Sequence, residues 1–174
     1  DVLQMEGVAH SYDDNLVLLD ATLHLVRGQK AVLVGPNGSG KTTLARYLAL
    51  KLKAVHFNAD EVRANINKDL GFRIEDRLEH ARRMGWLCDR VTEAGYPAIA
   101  DFICPTPETR DAFGPAFVVF VDRIAEGRYS DTNRLFVPPQ TYDLRVEAAG
   151  FKTLELKDIN LASSETRDLG RLVL

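Results

Sequence analysis

Gly35-Pro36-Asn37-Gly38-Ser39-Gly40-Lys41-Thr42-Thr43 is the stretch whose reading decides the fold. It fits the GxxxxGK[ST] pattern of a phosphate-binding loop with no mismatch. The apolar, β-branched run Ala31-Val32-Leu33-Val34 comes just before it, as a buried parallel strand should. Leu44, Tyr47, Leu48 and Leu52 follow at helical spacing, which predicts a helix. Strand, glycine loop and helix are the arrangement that phosphate binding needs. Glycines let backbone N–H groups turn inward around a polyphosphate, and the helix N-terminus adds partial positive charge. Lys41 is placed to reach the β- and γ-phosphates, and the Thr42 hydroxyl to ligate Mg²⁺. The expected nucleotide-binding set is therefore Gly35, Asn37, Gly38, Ser39, Gly40, Lys41, Thr42 and Thr43, with ATP and Mg²⁺ as cofactors. The competing reading, a glycine-rich turn that binds nothing, is opposed by the agreement of motif and context.

Outward from the loop, the 174 residues leave room for one domain with a sizeable core, or one domain and a small appendage. Hydrophobic residues at 45% and charged residues at 27% match an ordinary soluble globular protein. A net charge of −3 gives no global pull toward nucleic acid. No apolar run approaches the ~18 to 20 residues needed to span a bilayer, so no membrane partner is expected. Asp1-Val2-Leu3-Gln4 shows no signal-peptide pattern and no initiator Met, and reads as the start of a trimmed chain or a fragment. Cys88 and Cys104 make neither a metal spacing nor a disulfide framework, which favours buried free thiols and a reducing, cytoplasmic setting.

Residues 2–28 read as an antiparallel β arm. Val2 to Val8 forms one strand, Asp13-Asp14-Asn15 a turn, and Leu19, Ala21, Leu23 and Leu25 alternate along a second strand. The segments Val8-Ala9-His10-Ser11-Tyr12, Leu18-Leu19-Asp20 and Arg27-Gly28-Gln29, with the phosphate loop, resemble the start of an ABC-type ATPase domain. That resemblance implies that Tyr12 stacks on adenine; the alternative is a half-buried tyrosine at a strand end. The likeness stops near Leu50, because no signature motif, glutamine loop, Asp-Glu strand or switch histidine follows.

From Ala54 the chain resembles the adenylyl-sulfate kinases, over about residues 51–146. Asn58-Ala59-Asp60-Glu61-Val62-Arg63 matches that family's Asp-Gly-Asp-Asn-x-Arg segment, with Asn58 for the first carboxylate. Asp69-Leu70-Gly71-Phe72 is intact. Asp76-Arg77-Leu78-Glu79-His80-Ala81-Arg82-Arg83 matches a further run, with His80 for Asn. Phe102-Ile103-Cys104-Pro105 matches a turn that touches the acceptor, with Asp101 for the serine before it and Cys104 for the serine within it. The resemblance implies that Phe72 packs on the acceptor's adenine and that Phe102 and Ile103 contact the acceptor.

The residues point the same way on physical grounds. Asp60, read as the end of a strand over 54–60, is placed to deprotonate an attacking hydroxyl or to hold Mg²⁺. Asp101, at the end of a strand over 97–103, is an alternative carboxylate on the Mg²⁺ side. Arg63, Arg77 and Arg82 are candidates to grip an anionic acceptor through forked hydrogen bonds. A solvated, ion-paired helix face is the competing reading for these arginines, and a core position for Phe72. The expected catalytic residues are Lys41, Asp60 and Arg63; substrate contacts Arg63, Phe72, Arg77, Phe102 and Ile103; and metal contacts Thr42, Asp60 and Asp101.

Residues 74–94 predict a helix with Leu78, Ala81, Gly85, Cys88 and Val91 on one face, ended by Gly95. Trp86 reads as packing rather than ligand stacking, and Cys104 as a packed residue rather than a nucleophile. Thr106-Pro107 opens a short capped helix. Over 127–139 the family's basic lid is replaced by a less basic stretch, in which Arg128 or Arg134 is placed to stabilise γ-phosphate charge. The segments after Tyr142 resemble the tail of a carboxypeptidase-regulatory-like β-sandwich, and three partial likenesses suggest a mosaic or engineered chain.

The expected fold class is α/β, a P-loop NTPase fold with a parallel sheet flanked by helices, an N-terminal antiparallel β arm and a β-rich C-terminal tail. The expected organisation is a kinase-like domain over 1–148, divided into an arm (1–28) and a core (29–148), then an appendage over 149–174. The right-handed crossover rule orders the strands 54–60, 98–103, 31–34, 117–122 and 142–146. The function expected is transfer of the ATP γ-phosphoryl to the 3′-hydroxyl of adenylyl sulfate, a small-molecule nucleotide substrate, with a homodimer as a further expectation. Two alternatives stand beside it: a non-catalytic protein that at most binds nucleotide, and a kinase for another small metabolite.

Overall fold

The computed structural model describes residues 2–12, 15–26, 28–122 and 134–147, with side chains described over 28–122 and 134–146. The elements in order are β1 (Val2–Tyr12), β2 (Asn15–Val26), β3 (Lys30–Val34), α1 (Lys41–Leu52), β4 (Val55–Asn58), α2 (Ala59–Asn65), α3 (Ile74–Glu93), β5 (Ala98–Asp101), α4 (Pro107–Phe113), β6 (Phe117–Asp122) and β7 (Leu144–Glu147). β1 and β2 pair antiparallel in a two-stranded sheet of their own. The other five form a parallel sheet in the order β4-β5-β3-β6-β7, the order that the crossover rule predicts.

β3 lies at the centre because it is apolar on both faces. Its side chains alternate between two cores. Ala31 and Leu33 join Leu44, Ala45, Leu48 and Leu52 of α1, with Ile99, Val119 and Val121 of the neighbouring strands. Val32 and Val34 join Ala81, Met84 and Cys88 of α3, with Ala100, Phe102, Phe113 and Phe120. Each fully buried Leu or Ile contributes on the order of 1.5–3 kcal/mol relative to exposure.

The helix over 74–94 spans Ile74–Glu93 and buries Ala81, Gly85 and Cys88; Leu78 and Val91 are half-buried. It approaches the end of α4 very closely, since a Cβ on Gly85 would stand 2.1 Å from the Phe113 carbonyl oxygen. Lys30 secures the same corner. Its buried amine donates to the Phe113 carbonyl (3.0 Å), pairs with Asp89 (2.7 Å) and lies over the Phe113 ring. α4 begins as the sequence predicts, with Thr106 as N-cap, Pro107 in the first turn and a reciprocal capping bond from Thr109.

Some expectations are corrected. β4 ends at Asn58, not at Asp60, because the Asn58 side chain accepts from the Glu61 N–H and caps α2. Asp60 therefore sits in the first turn of a helix. β5 ends at Asp101 rather than Ile103. Trp86 is not packed in the core: it is 53% exposed on α3, beneath the Arg90 guanidinium. Phe72 is not a core residue, being 68% exposed. Tyr12 lies on β1, whose side chains are outside the described residues, as are Arg128 and the appendage over 149–174.

Candidate active site

The phosphate loop joins β3 to α1 at the C-terminal edge of the sheet. Gly40 is the N-cap of α1 with φ +87, a left-handed conformation that favours glycine, and no side chain caps the helix. The first N–H groups of α1 thus face the space an anion would fill. Ser39 N–H closes the loop onto the Pro36 carbonyl at 3.2 Å. Lys41 is buried and folds back on the loop, donating to the Pro36 carbonyl (3.3 Å) and Asn37 Oδ1 (3.5 Å). Burial pushes its amine below the usual lysine value, against the pull of Asp101 and Asp60.

Behind Lys41 lies a network around Asp101, which is 1% exposed. Thr42 Oγ1 donates to Asp101 Oδ2 at 2.5 Å. His56 Nε2 meets Asp101 Oδ1 at 2.5 Å. Asn58 Nδ2 reaches both carboxylate oxygens, at 3.3 and 3.1 Å. The register places Asn58 directly beside Asp101, while His56 is two residues back on the same face of β4. Asn58 at the end of β4 and Asp101 at the end of β5 therefore meet side by side.

A second cluster faces this one. Arg63 Nη1 donates to the carbonyls of Leu70 (3.2 Å) and Gly71 (2.5 Å). Arg77 Nε donates to the Phe72 carbonyl at 2.9 Å. Both guanidiniums lie against the Phe72 ring, 4.8 and 5.6 Å from its centroid. Burial lowers the pKa of both, and at Arg63 the neighbouring Arg77 adds to the shift. Two cations crowded beside one ring favour an anion between them and the loop.

His80 stands at the floor of this cluster. Asn67 accepts from Arg83 at 3.3 Å, so its amide nitrogen turns to His80 Nδ1 at 2.8 Å and leaves the ring hydrogen on Nε2. Burial, with Arg63 and Arg83 nearby, lowers the His80 pKa to about 4, so the ring is neutral at pH 7. Arg83 is held by Asp69 and Glu79.

One cavity of about 530 Å³ joins the two clusters. Of the residues singled out in the sequence, Asn37, Gly38, Lys41, Thr42, Asp60, Arg63, Phe72, Arg77, Asp101, Phe102 and Ile103 line it. Gly35, Ser39, Gly40 and Thr43 do not; Gly40 and Ser39 shape the loop instead, and Thr43 is exposed. Arg82 does not grip the cavity: it is spent on an exposed pair with Glu79. Cys104, buried with its thiol pushed up to about 12, has no nucleophilic character. His56 and Thr109 were given no role in the sequence, and His80 and Pro105 entered only as members of matched runs. For His56 the available signal was its period-two spacing from Asn58.

A family model described as "Adenylylsulphate kinase" matches residues 27–122. The adenylyl-sulfate kinase of Shewanella baltica (strain OS195) is 40% identical over 101 residues, covering 53% of this chain and 49% of that protein. Adenylyl-sulfate kinase 3 of Arabidopsis thaliana is 40% identical over 85 residues, covering 46% and 41%. The chain spans about half the length of the curated relatives it matches. Among solved structures, the Mycobacterium tuberculosis APS kinase in complex with AMPPNP and APS superposes with a TM-score of 0.59 at 26% identity, covering 71% of this chain and 90% of that one. The family match runs through the phosphate loop and the segments carrying Arg63, Phe72, Arg77 and Asp101 together. The match begins at residue 27, upstream of the kinase-like span of about 51–146, and the comparisons give no support to a mosaic chain.

Proposed function

The chain belongs to the adenylylsulphate kinase family, and on that premise we propose that it transfers the γ-phosphoryl group of ATP to the 3′-hydroxyl of adenylyl sulfate. The observation that carries the reading is the shared cavity, in which the loop lysine and the Arg63–Phe72–Arg77 cluster face each other. In this reading the α1 N-terminus and Lys41 hold the ATP phosphates, and Lys41 balances charge that builds on the γ-phosphoryl as it moves. Phe72 offers a flat face to the acceptor's adenine, and Arg63 and Arg77 attract its phosphosulfate. Asp60, on the exposed first turn of α2, takes the proton of the 3′-hydroxyl as its oxygen attacks the γ-phosphorus. The bond from that phosphorus to the β–γ bridging oxygen breaks, and ADP leaves.

The donor set fits Mg²⁺, which takes few protein ligands and keeps the rest for phosphate oxygens and water. The Thr42 hydroxyl, backed by the Asp101 carboxylate, would hold it, and when bound it would neutralise charge on the β- and γ-phosphates. Asp60→Asn tests the assignment of the base. With γ-labelled ATP, label transfer to adenylyl sulfate should fall by about 10²-fold or more while ADP binding stays unchanged. Undiminished transfer would remove Asp60 from that role.

A further inference from the structure

We infer that His56 is a positioning residue for the magnesium–nucleotide half of the site, acting through Asp101. Asp101 is buried, so its orientation depends on what its two oxygens meet. Oδ2 accepts from the Thr42 hydroxyl at 2.5 Å and from Asn58 at 3.1 Å. Oδ1 accepts from His56 at 2.5 Å and otherwise has only the longer Asn58 contact, at 3.3 Å. His56 is the short bond on that side. It comes from the strand beside Asp101, on the same face as Asn58, so β4 presents two donors to one carboxylate of β5. The imidazole is 15% exposed and held in place by its strand, so it fixes the plane of the carboxylate from outside the cavity. That plane sets where the Thr42 hydroxyl points. Thr42 and Asp101 line the cavity and His56 does not, so its influence passes through the carboxylate rather than through contact with nucleotide.

Partners that orient a metal-side ligand typically affect metal affinity more than they affect fold. The consequence is a specific loss of coupling between Mg²⁺ and nucleotide. The inference rests on the phosphate-loop half of the proposed function and is independent of the acceptor, because ADP and Mg²⁺ bind whatever hydroxyl is phosphorylated. Its failure would therefore leave the kinase reading standing.

The test is calorimetric titration of the full chain with ADP, with and without Mg²⁺, for wild type, His56→Leu and His56→Gln. The Leu variant removes the donor and keeps the bulk; the Gln variant returns an N–H near the Nε2 position. The expected result is unchanged Mg²⁺-free ADP affinity in all three. The Mg²⁺-dependent gain in affinity should drop by about tenfold in His56→Leu and be largely restored in His56→Gln. In an Asp101→Asn background, His56→Leu should have no further effect. If His56→Leu does not fold, His56→Asn replaces it, since its amide is too short to reach Oδ1. An unchanged Mg²⁺ gain in the donor-less variant, equal loss in the Leu and Gln variants, or full additivity with Asp101→Asn would each overturn the inference.

Discussion

Phe72 shows how one residue ties sequence to site. A phenylalanine that is 68% exposed buries little of its own surface, so it adds little to the fold. Its ring is held instead by two guanidiniums, whose N–H groups grip the backbone carbonyls of residues 70–72. Phe72→Ala should therefore change unfolding free energy by less than about 0.5 kcal/mol. The KM for adenylyl sulfate should rise by about tenfold or more, as expected for loss of a base-stacking ring. A large drop in stability with no change in KM would make Phe72 structural. His80 gives a prediction in pH. Its pKa lies near 4 in the folded chain and near 6.5 when unfolded, so the unfolded state binds the extra proton between those values. The stability it contributes is complete above about pH 6.5 and is lost as pH falls toward 4. Melting curves at pH 7 and 4.5 should show a smaller acid-induced drop in His80→Asn than in wild type. At this scale the sequence was legible where a motif fixes spacing, as for Lys41 and Thr42. Asp101 too was legible as a strand-end carboxylate, but its sharing by Thr42, His56 and Asn58 was not, because that depends on strand register, which no local pattern encodes.

Among the elements, α3 and α4 meet where a side chain is forbidden. Gly85 faces the Phe113 backbone so closely that any Cβ must push one helix away from the other. Gly85→Ala should cost about 3 kcal/mol, read from the denaturant midpoint, although alanine is the better helix former. A neutral or stabilising result would mean that the α3–α4 corner gives way easily. The Lys30 bonds to Phe113 and Asp89 argue against that. α3 itself was legible, because its apolar face repeats from Leu78 to Val91, over about four turns. The end of β4 was not. Asp60 reads as the carboxylate closing an apolar run, but Asn58 is the better helix cap, so the chain turns two residues sooner. The same displacement carries Asp60 onto an exposed first turn and leaves Asp101 as the buried carboxylate.

For the whole molecule, the strand order followed from crossover hand together with the two-faced apolar character of the central strand. Each parallel connection must return over the sheet in the right-handed sense, and the central strand must be the one apolar on both faces. That order brings β3, β4 and β5 to a common edge, where Lys41, Asn58 and Asp101 meet. The phosphate loop and the Arg63–Phe72–Arg77 cluster then share one cavity. The most direct test of the kinase assignment is ADP formation from ATP and Mg²⁺, with and without adenylyl sulfate, for the full chain and for Lys41→Ala. The expected result is acceptor-dependent ADP that disappears in the variant. Folded chain that forms no acceptor-dependent ADP would contradict the assignment.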